Sequence, residues 1–266
     1  MVTAGLLSAP PVLGAAPRAV MASAGNSAEA AAMEVWLDRD LSVSSAEAAL
    51  AAAESAAQRT NNPKMSILAS EAAHWLAFML RDAGVADDVR KETFLRGVEH
   101  AKRAQELGPD LAGGYFWEAA NTGRAAEITG IAASAWRLPR LAWLIARTDA
   151  LEPGYWDAAT DRARGVIIAA SPDWLIRVHG VDLDDAEHYF QRSLEAAPER
   201  LDTLVFMAQL YFRRGERERG MKTLRQVVAA PPASDRAMRP WNALAKEDAK
   251  RMLAEQASAP SSTRKL

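Results

Sequence analysis

Apolar positions along this chain recur at three- and four-residue spacing, and strand-type alternation is hard to find. Between Pro63 and Gly84, the residues Met65, Leu68, Ala72, Trp75, Leu76 and Met79 lie on one side of a helix. Leu201, Leu204, Val205, Ala208 and Tyr211 repeat the pattern. The run from Ala46 to Ala57 is dominated by alanine, the best helix former. Gly84, Gly108, Gly123, Gly180 and Gly215 fall where such helices should stop or turn. The pattern predicts an all-α chain.

Prolines end helical stretches at Pro63, Pro109, Pro153, Pro198 and Pro232, with separations of 46, 44, 45 and 34 residues. The last separation is the tetratricopeptide period, and the residues before the prolines fit its second helix. Ala186, Phe190 and Ser193 precede Pro198, Gly220, Leu224 and Val227 precede Pro232, and Gly97, Ala101 and Ala104 precede Pro109, each set with the same small–bulky–small spacing. The longer periods place insertions between the paired helices at Ile128–Leu138 and Ser171–Asp182. The predicted fold is therefore a tetratricopeptide-like α-solenoid of stacked helical hairpins, two of them with insertions between their helices. A C-terminal helix over Pro240–Gln256 closes the stack, with Trp241, Leu244 and Met252 inward and Lys246, Glu247 and Lys250 outward.

Outside residues 28–256 the pattern fades. Residues 257–266 read as a disordered tail and residues 1–27 as a disordered arm or a degenerate export signal. Ala22-Ser23-Ala24 resembles a signal-peptidase site behind a weak apolar segment at Val12–Ala16. No run of apolar residues is long enough for a transmembrane helix.

Composition removes whole classes of function. The chain has no cysteine, which excludes disulfide scaffolds, thiolate metal sites and thiol nucleophiles. A net charge of −2 argues against a nucleic-acid binder. Neither a phosphate-binding loop nor a serine-nucleophile elbow is present, no cofactor motif is found, and no nucleophile, base and oxyanion donor come together, so the chain reads as a non-enzyme. Glu71 and His74 form a single Glu-x-x-His without the second copy a di-metal bundle needs, and read as a partly exposed structural pair beside Trp75. Asp182 or Asp184 reads as the cap of a helix beginning near Asp185. The charge-dense run Arg213–Arg219 reads as a solvated turn between helices.

The richest segment is Gly113-Gly114-Tyr115-Phe116-Trp117-Glu118-Ala119-Ala120-Asn121-Thr122-Gly123-Arg124. On a helix, Tyr115, Ala119 and Thr122 share a packing face, while Trp117, Asn121 and Arg124 share the nearly opposite one. That second face aligns an indole, an amide and a guanidinium, chemistry suited to stacking on an apolar body and forking onto a carboxylate. Trp136 and Trp174 fall in the two insertions, which in solenoids gather on one face. Trp117, Asn121, Arg124, Trp136 and Trp174 are therefore the candidate cavity residues. The competing reading is that Trp117 packs beneath an insertion and Arg124 pairs with a nearby glutamate.

Three features together resemble the TRAP transporter T-component (TatT) family, a divergent tetratricopeptide-like group. They are the glycine-introduced aromatic helix ending in Asn121-x-Gly123-Arg124, the two lengthened hairpins, and Trp174 with Gly180-x-Asp182-x-x-x-Ala186 before Tyr189-Phe190. The resemblance spans about Pro63 to Pro232. It implies a self-associating periplasmic protein that partners the solute-binding protein of a TRAP transporter and holds an apolar or carboxylated solute. Members of the family are commonly anchored through an N-terminal cysteine; this sequence has none, so unanchored periplasmic residence is the form carried over. The alternative is a cytosolic adaptor that holds a partner's peptide in the concave groove.

Overall fold

Pro63 at the first turn and the Asn62 side chain, which accepts from the Lys64 backbone N–H, start one long helix at the place the pattern predicts. The computed structural model describes residues 27–258, and every regular element among them is helical. In chain order these are α1 (Ser27–Leu37), α2 (Val43–Thr60), α3 (Pro63–Asp82), α4 (Asp87–Leu107) and α5 (Ala112–Thr129). The short α6 (Ile131–Ser134) and a 3₁₀ turn, Ala135–Arg137, lead into α7 (Leu138–Leu151). Then follow α8 (Tyr155–Ala170), α9 (Asp173–Val178), α10 (Leu183–Ala196), α11 (Leu201–Arg213), α12 (Arg217–Ala229) and α13 (Arg239–Ser258). The expected arm at 1–27 and tail at 257–266 lie outside the described residues, apart from Ser27, Ala257 and Ser258 at the helix ends.

The hairpins are α3/α4, α5/α7, α8/α10 and α11/α12. The two insertions are α6 with its 3₁₀ turn, and α9, each between the paired helices as the proline spacing requires. The small–bulky–small positions are the ones that pack: Ala101, Ala104, Ala186, Phe190, Ser193, Leu224 and Val227 are all fully buried. A Cβ on Gly97 would sit 2.6 Å from the Asn121 amide, one on Gly165 2.5 Å from the Phe190 ring, and one on Gly220 2.6 Å from Phe212. These glycines let neighbouring helices approach. Gly123 differs from the expectation for it. It lies inside α5 and ends nothing, whereas Gly84, Gly180 and Gly215 adopt φ of +73°, +71° and +77° as helix stops do. Asp182 caps α10 in a reciprocal capping box with Asp185, so the acidic run there is cap chemistry.

The terminal helix does more than cover the last hairpin. α13 packs on α11 and α12, with Ala245 and Ala249 against Leu224 and Val227. Its Trp241 and Leu244 also enter the principal core built by α1, α2, α3 and α5. Ion pairs follow the same path: Arg81 of α3 meets Asp248 at 2.6 Å, Arg251 meets Asp82 at 3.1 Å, and Arg236 reaches Glu34 of α1 at 3.1 Å. The chain thus returns to its first helices, leaving an open-sided space between the hairpins.

Candidate functional site

That space is a cavity of about 240 Å³. Its apolar wall comes from α5 (Phe116, Trp117), α7 (Leu141, Ile145), α8 (Trp156, Val166), α11 (Val205, Phe206) and α13 (Trp241, Leu244). The three guanidinium groups of Arg81, Arg124 and Arg162 face it, as do the carboxylates of Glu127, Asp202 and Asp248. Gly123 also lines it, and a Cβ built there meets nothing within 4 Å. The missing side chain is part of the cavity's volume.

The aromatic wall is a single mutually packed cluster. Trp117 lies 4.9 Å from Trp156, edge to face, and stacks on Trp241 at 6.5 Å; Trp156 meets Trp241 at 5.4 Å. Trp156 reaches this position through an unusual backbone. Trp156, Asp157 and Ala158 all have left-handed conformations, with φ of 47°, 58° and 57°. A left-handed turn of L-residues costs roughly 1–2 kcal/mol per residue, so the surroundings must hold it. Arg162 donates to the Trp156 carbonyl at 3.1 Å and to the Asp157 carbonyl at 2.5 Å. Arg200 lies 4.1 Å above the Trp156 ring and pairs with the Asp157 carboxylate at 3.5 Å. Both arginines are tied to Asp202, whose carboxyl is desolvated by burial yet held at about 2 by Arg200 and Arg162.

The three cavity arginines differ in what they are free to do. Arg162 is committed to the turn and to Asp202. Arg81 is shared between Asp82 at 2.8 Å and Asp248 at 2.6 Å. Arg124 pairs, among the described residues, with Glu127 alone at 2.8 Å, and its guanidinium lies over Phe78 at 5.2 Å and Phe206 at 5.8 Å. Both members of the Arg124–Glu127 pair are partly exposed, and such pairs contribute about 0–1 kcal/mol. Arg124 can therefore exchange Glu127 for an incoming anion at small cost.

Of the five residues expected at a cavity, the structure brings Trp117 and Arg124 together there. Asn121, one turn from each, points between α3, α4 and α5. Its amide donates to the Ser70 carbonyl at 3.2 Å, to Ser70 Oγ at 3.0 Å and to the Trp117 carbonyl at 3.1 Å, and its oxygen meets His74 Nδ1 at 3.0 Å. Trp136 and Trp174 stand outward on the insertions, 73% and 56% exposed. The expected partial exposure of the Glu71–His74 pair holds for Glu71 and gives way at His74. His74 is buried among Phe78, Phe94 and Trp117, and burial with the nearby Arg124 charge pulls its pKa down to about 3 despite the Asn121 bond. His74 is thus neutral, and because the Asn121 amide nitrogen is used as donor, its Nδ1 carries the proton. Trp156, Arg162, Phe206 and Asp202 were not singled out by spacing, since they come from separate hairpins. Only Trp241 carried a signal, as an inward residue of the closing helix.

No group of three or more histidine, cysteine, aspartate or glutamate side chains among the described residues could hold a metal ion. No described helix is long and apolar enough to cross a membrane.

Comparison with known proteins agrees with the architecture. The crystal structure of a thermophilic TPR protein of Thermus thermophilus is similar over 86% of this chain and 97% of that one, with a TM-score of 0.56. The sequences are 16% identical, so the likeness concerns the fold alone. No curated protein sequence matches the chain. The family model described as TRAP transporter T-component matches residues 41–259, from the loop before α2 to just past the end of α13. With the stacked hairpins, the two insertions and the aromatic cavity in view, the chain belongs to the TRAP transporter T-component family.

Proposed function

We propose that this protein is a non-enzymatic binding and scaffold subunit of a TRAP transport system. It works in the periplasm beside the system's solute-binding protein and holds an apolar-bodied carboxylated solute in its central cavity. The observation that carries the reading is the pairing of an aromatic wall with one exchangeable guanidinium, Arg124, in the same cavity. Trp117, Trp156, Trp241 and Phe206 would cover the apolar body, and Arg124 would fork onto the carboxylate in place of Glu127. The adaptor reading has less support, because Trp241 and Leu244 of α13 fill core space between the hairpins that a bound peptide would need.

Octanoate is a suitable probe, with octanol as its uncharged counterpart, and calorimetric titration the readout. Arg124→Met should weaken octanoate at least about tenfold while leaving octanol nearly unchanged, since a charge-assisted bond contributes about 1.5–3 kcal/mol. Gly123→Met, whose side chain grows into open space, should abolish both. Octanoate binding that is unaffected by Gly123→Met would remove the cavity from consideration. Binding of the solute-binding protein is a separate measurement, made with the purified pair.

A further inference from the structure

The two insertions carry exposed aromatic side chains that the cavity does not use. Trp136, Trp143, Trp174 and Val178 are 73%, 49%, 56% and 75% exposed, on the 3₁₀ turn, α7 and α9. From Ala135 to Leu151 the backbone is helical throughout, a 3₁₀ turn running into α7. Trp136, Arg140, Trp143 and Arg147 therefore recur at four, three and four residues along one outer stripe. The opposite side, through Leu141, Leu144, Ile145 and Thr148, is buried. On α9, Trp174, Arg177 and Val178 are exposed while Leu175 and Ile176 are buried. Both insertions connect the first to the second helix of neighbouring hairpins and both supply wall to one cavity, through Ser134, Ala135 and Leu138 on one side and Ser171 on the other. They belong to the same edge of the solenoid.

The outer stripe of the first insertion and α7 is basic, while the second insertion, Ser171–Asp182, is mixed, with Arg177 between Asp173 and Asp182. Between Ile128 and Thr148 the sequence has three arginines and no aspartate or glutamate. Arg140 is neutralised from behind by Glu118, at 2.9 Å, with its guanidinium 4.4 Å over Trp143. Arg137 lies over the Trp136 ring at 4.7 Å and Arg147 over Tyr115 at 5.5 Å, and neither has a carboxylate partner among the described residues. The carboxylate of α9, Asp173, pairs with Arg213, and Arg177 has no carboxylate partner among the described residues. Separate indoles alternating with arginines differ from the continuous apolar centre of a protein interface. They match what a bilayer headgroup layer favours: amphipathic rings at the boundary and cations among the phosphates.

We propose that the insertion edge, through Trp136, Trp143, Trp174 and Val178 with Arg137, Arg147 and Arg177, docks peripherally on an anionic phospholipid surface. The contact does not rest on the solute reading and would stand if the cavity proved empty of function. It would set the wall formed by Ser134, Ala135 and Leu138 close to the bilayer.

The test is flotation of the full chain with vesicles of phosphatidylcholine, with and without phosphatidylglycerol. Binding should require the anionic lipid and fall steeply with salt. The triple variant R137E/R147E/R177E should lose it by at least about tenfold. W136S/W174S should bind weakly and show reduced fluorescence quenching by lipids carrying a bromine or nitroxide in the upper acyl chain. Far-UV circular dichroism should match wild type for both variants, which separates a loss of binding from a loss of fold. Absence of anionic-lipid binding would overturn the proposal. So would sedimentation showing a self-association that these variants dissolve, or a purified solute-binding protein whose retention they abolish while vesicles never bind.

Discussion

Replacing Asn121 with alanine separates a structural role from a ligand-binding one. The side chain is fully buried, lies against Gly97 of α4, and makes four hydrogen bonds, three to α3 and one to the Trp117 carbonyl of its own helix. Truncation leaves the His74 Nδ1 hydrogen without an acceptor in a buried site, which costs about 1–3 kcal/mol. It also opens a void the size of a carboxamide, roughly 50 Å³, which adds about 1 kcal/mol at the usual cost per unit of cavity. The expected destabilisation is about 2–4 kcal/mol, or a fall of about 5–15 °C in Tm for a chain of this length if it melts cooperatively. Urea and thermal denaturation followed by circular dichroism give both quantities. A second arm isolates the orphaned donor: in a His74→Phe background, Asn121→Ala should cost about 1–2 kcal/mol less, because no imidazole N–H remains to be stranded. Octanoate affinity should stay within about twofold of wild type, since the amide does not reach the cavity. A loss below about 1 kcal/mol, or no coupling to residue 74, would refute this account of the network.

Other outcomes follow from the same packing. Two glycines inside helices should respond with opposite signs: Gly165→Ala drives a methyl into the buried Phe190 ring and should destabilise by about 1–3 kcal/mol, while Gly123→Ala meets nothing and should stabilise by up to about 1 kcal/mol. Melting of the two variants side by side checks this, and equal shifts would contradict it. Stability should fall on mild acidification. The folded pKa of His74 is lowered from 6.5 to about 3, so below pH 6.5 the unfolded chain takes up a proton that the folded chain refuses. The loss should approach about 1.4 kcal/mol per pH unit in that window, and His74→Phe should flatten the profile between pH 6.5 and 4.5. Asp202, whose folded pKa is depressed to about 2, acts in a separate range: its stabilisation is present above its ordinary value of 3.8 and disappears as pH falls toward 2. A wild-type profile that stays flat from pH 6.5 to 4.5 would sink the histidine assignment.

The sequence by itself determined the helical class, the proline-marked hairpins, the positions of both insertions and the closing helix. All of these are local or periodic properties: helix propensity, a 3.6-residue apolar stripe, a helix-breaking proline, a cap such as Asp182. It also presented the Trp117, Asn121 and Arg124 stripe, but could not say what each would touch. α5 is packed on nearly every side, so a stripe on it does not divide into core and solvent, and Asn121 goes to α3 and α4 while its neighbours face the cavity. Trp136 and Trp174 were legible as insertion residues, yet their outward direction depends on how α7 and α9 seat on the hairpins behind them. Tertiary structure alone decided the rest. The left-handed turn at Trp156 has no glycine within its three residues to announce it. It persists because Arg162, further along α8, and Arg200, from the loop before α11, hold its carbonyls, its ring and its carboxylate. The return of α13 to the first helices likewise depends on Trp241 meeting Trp75 and Trp117, residues far from it in the chain. Such contacts follow from where the stacked hairpins bring their surfaces together, and no local periodicity encodes that meeting.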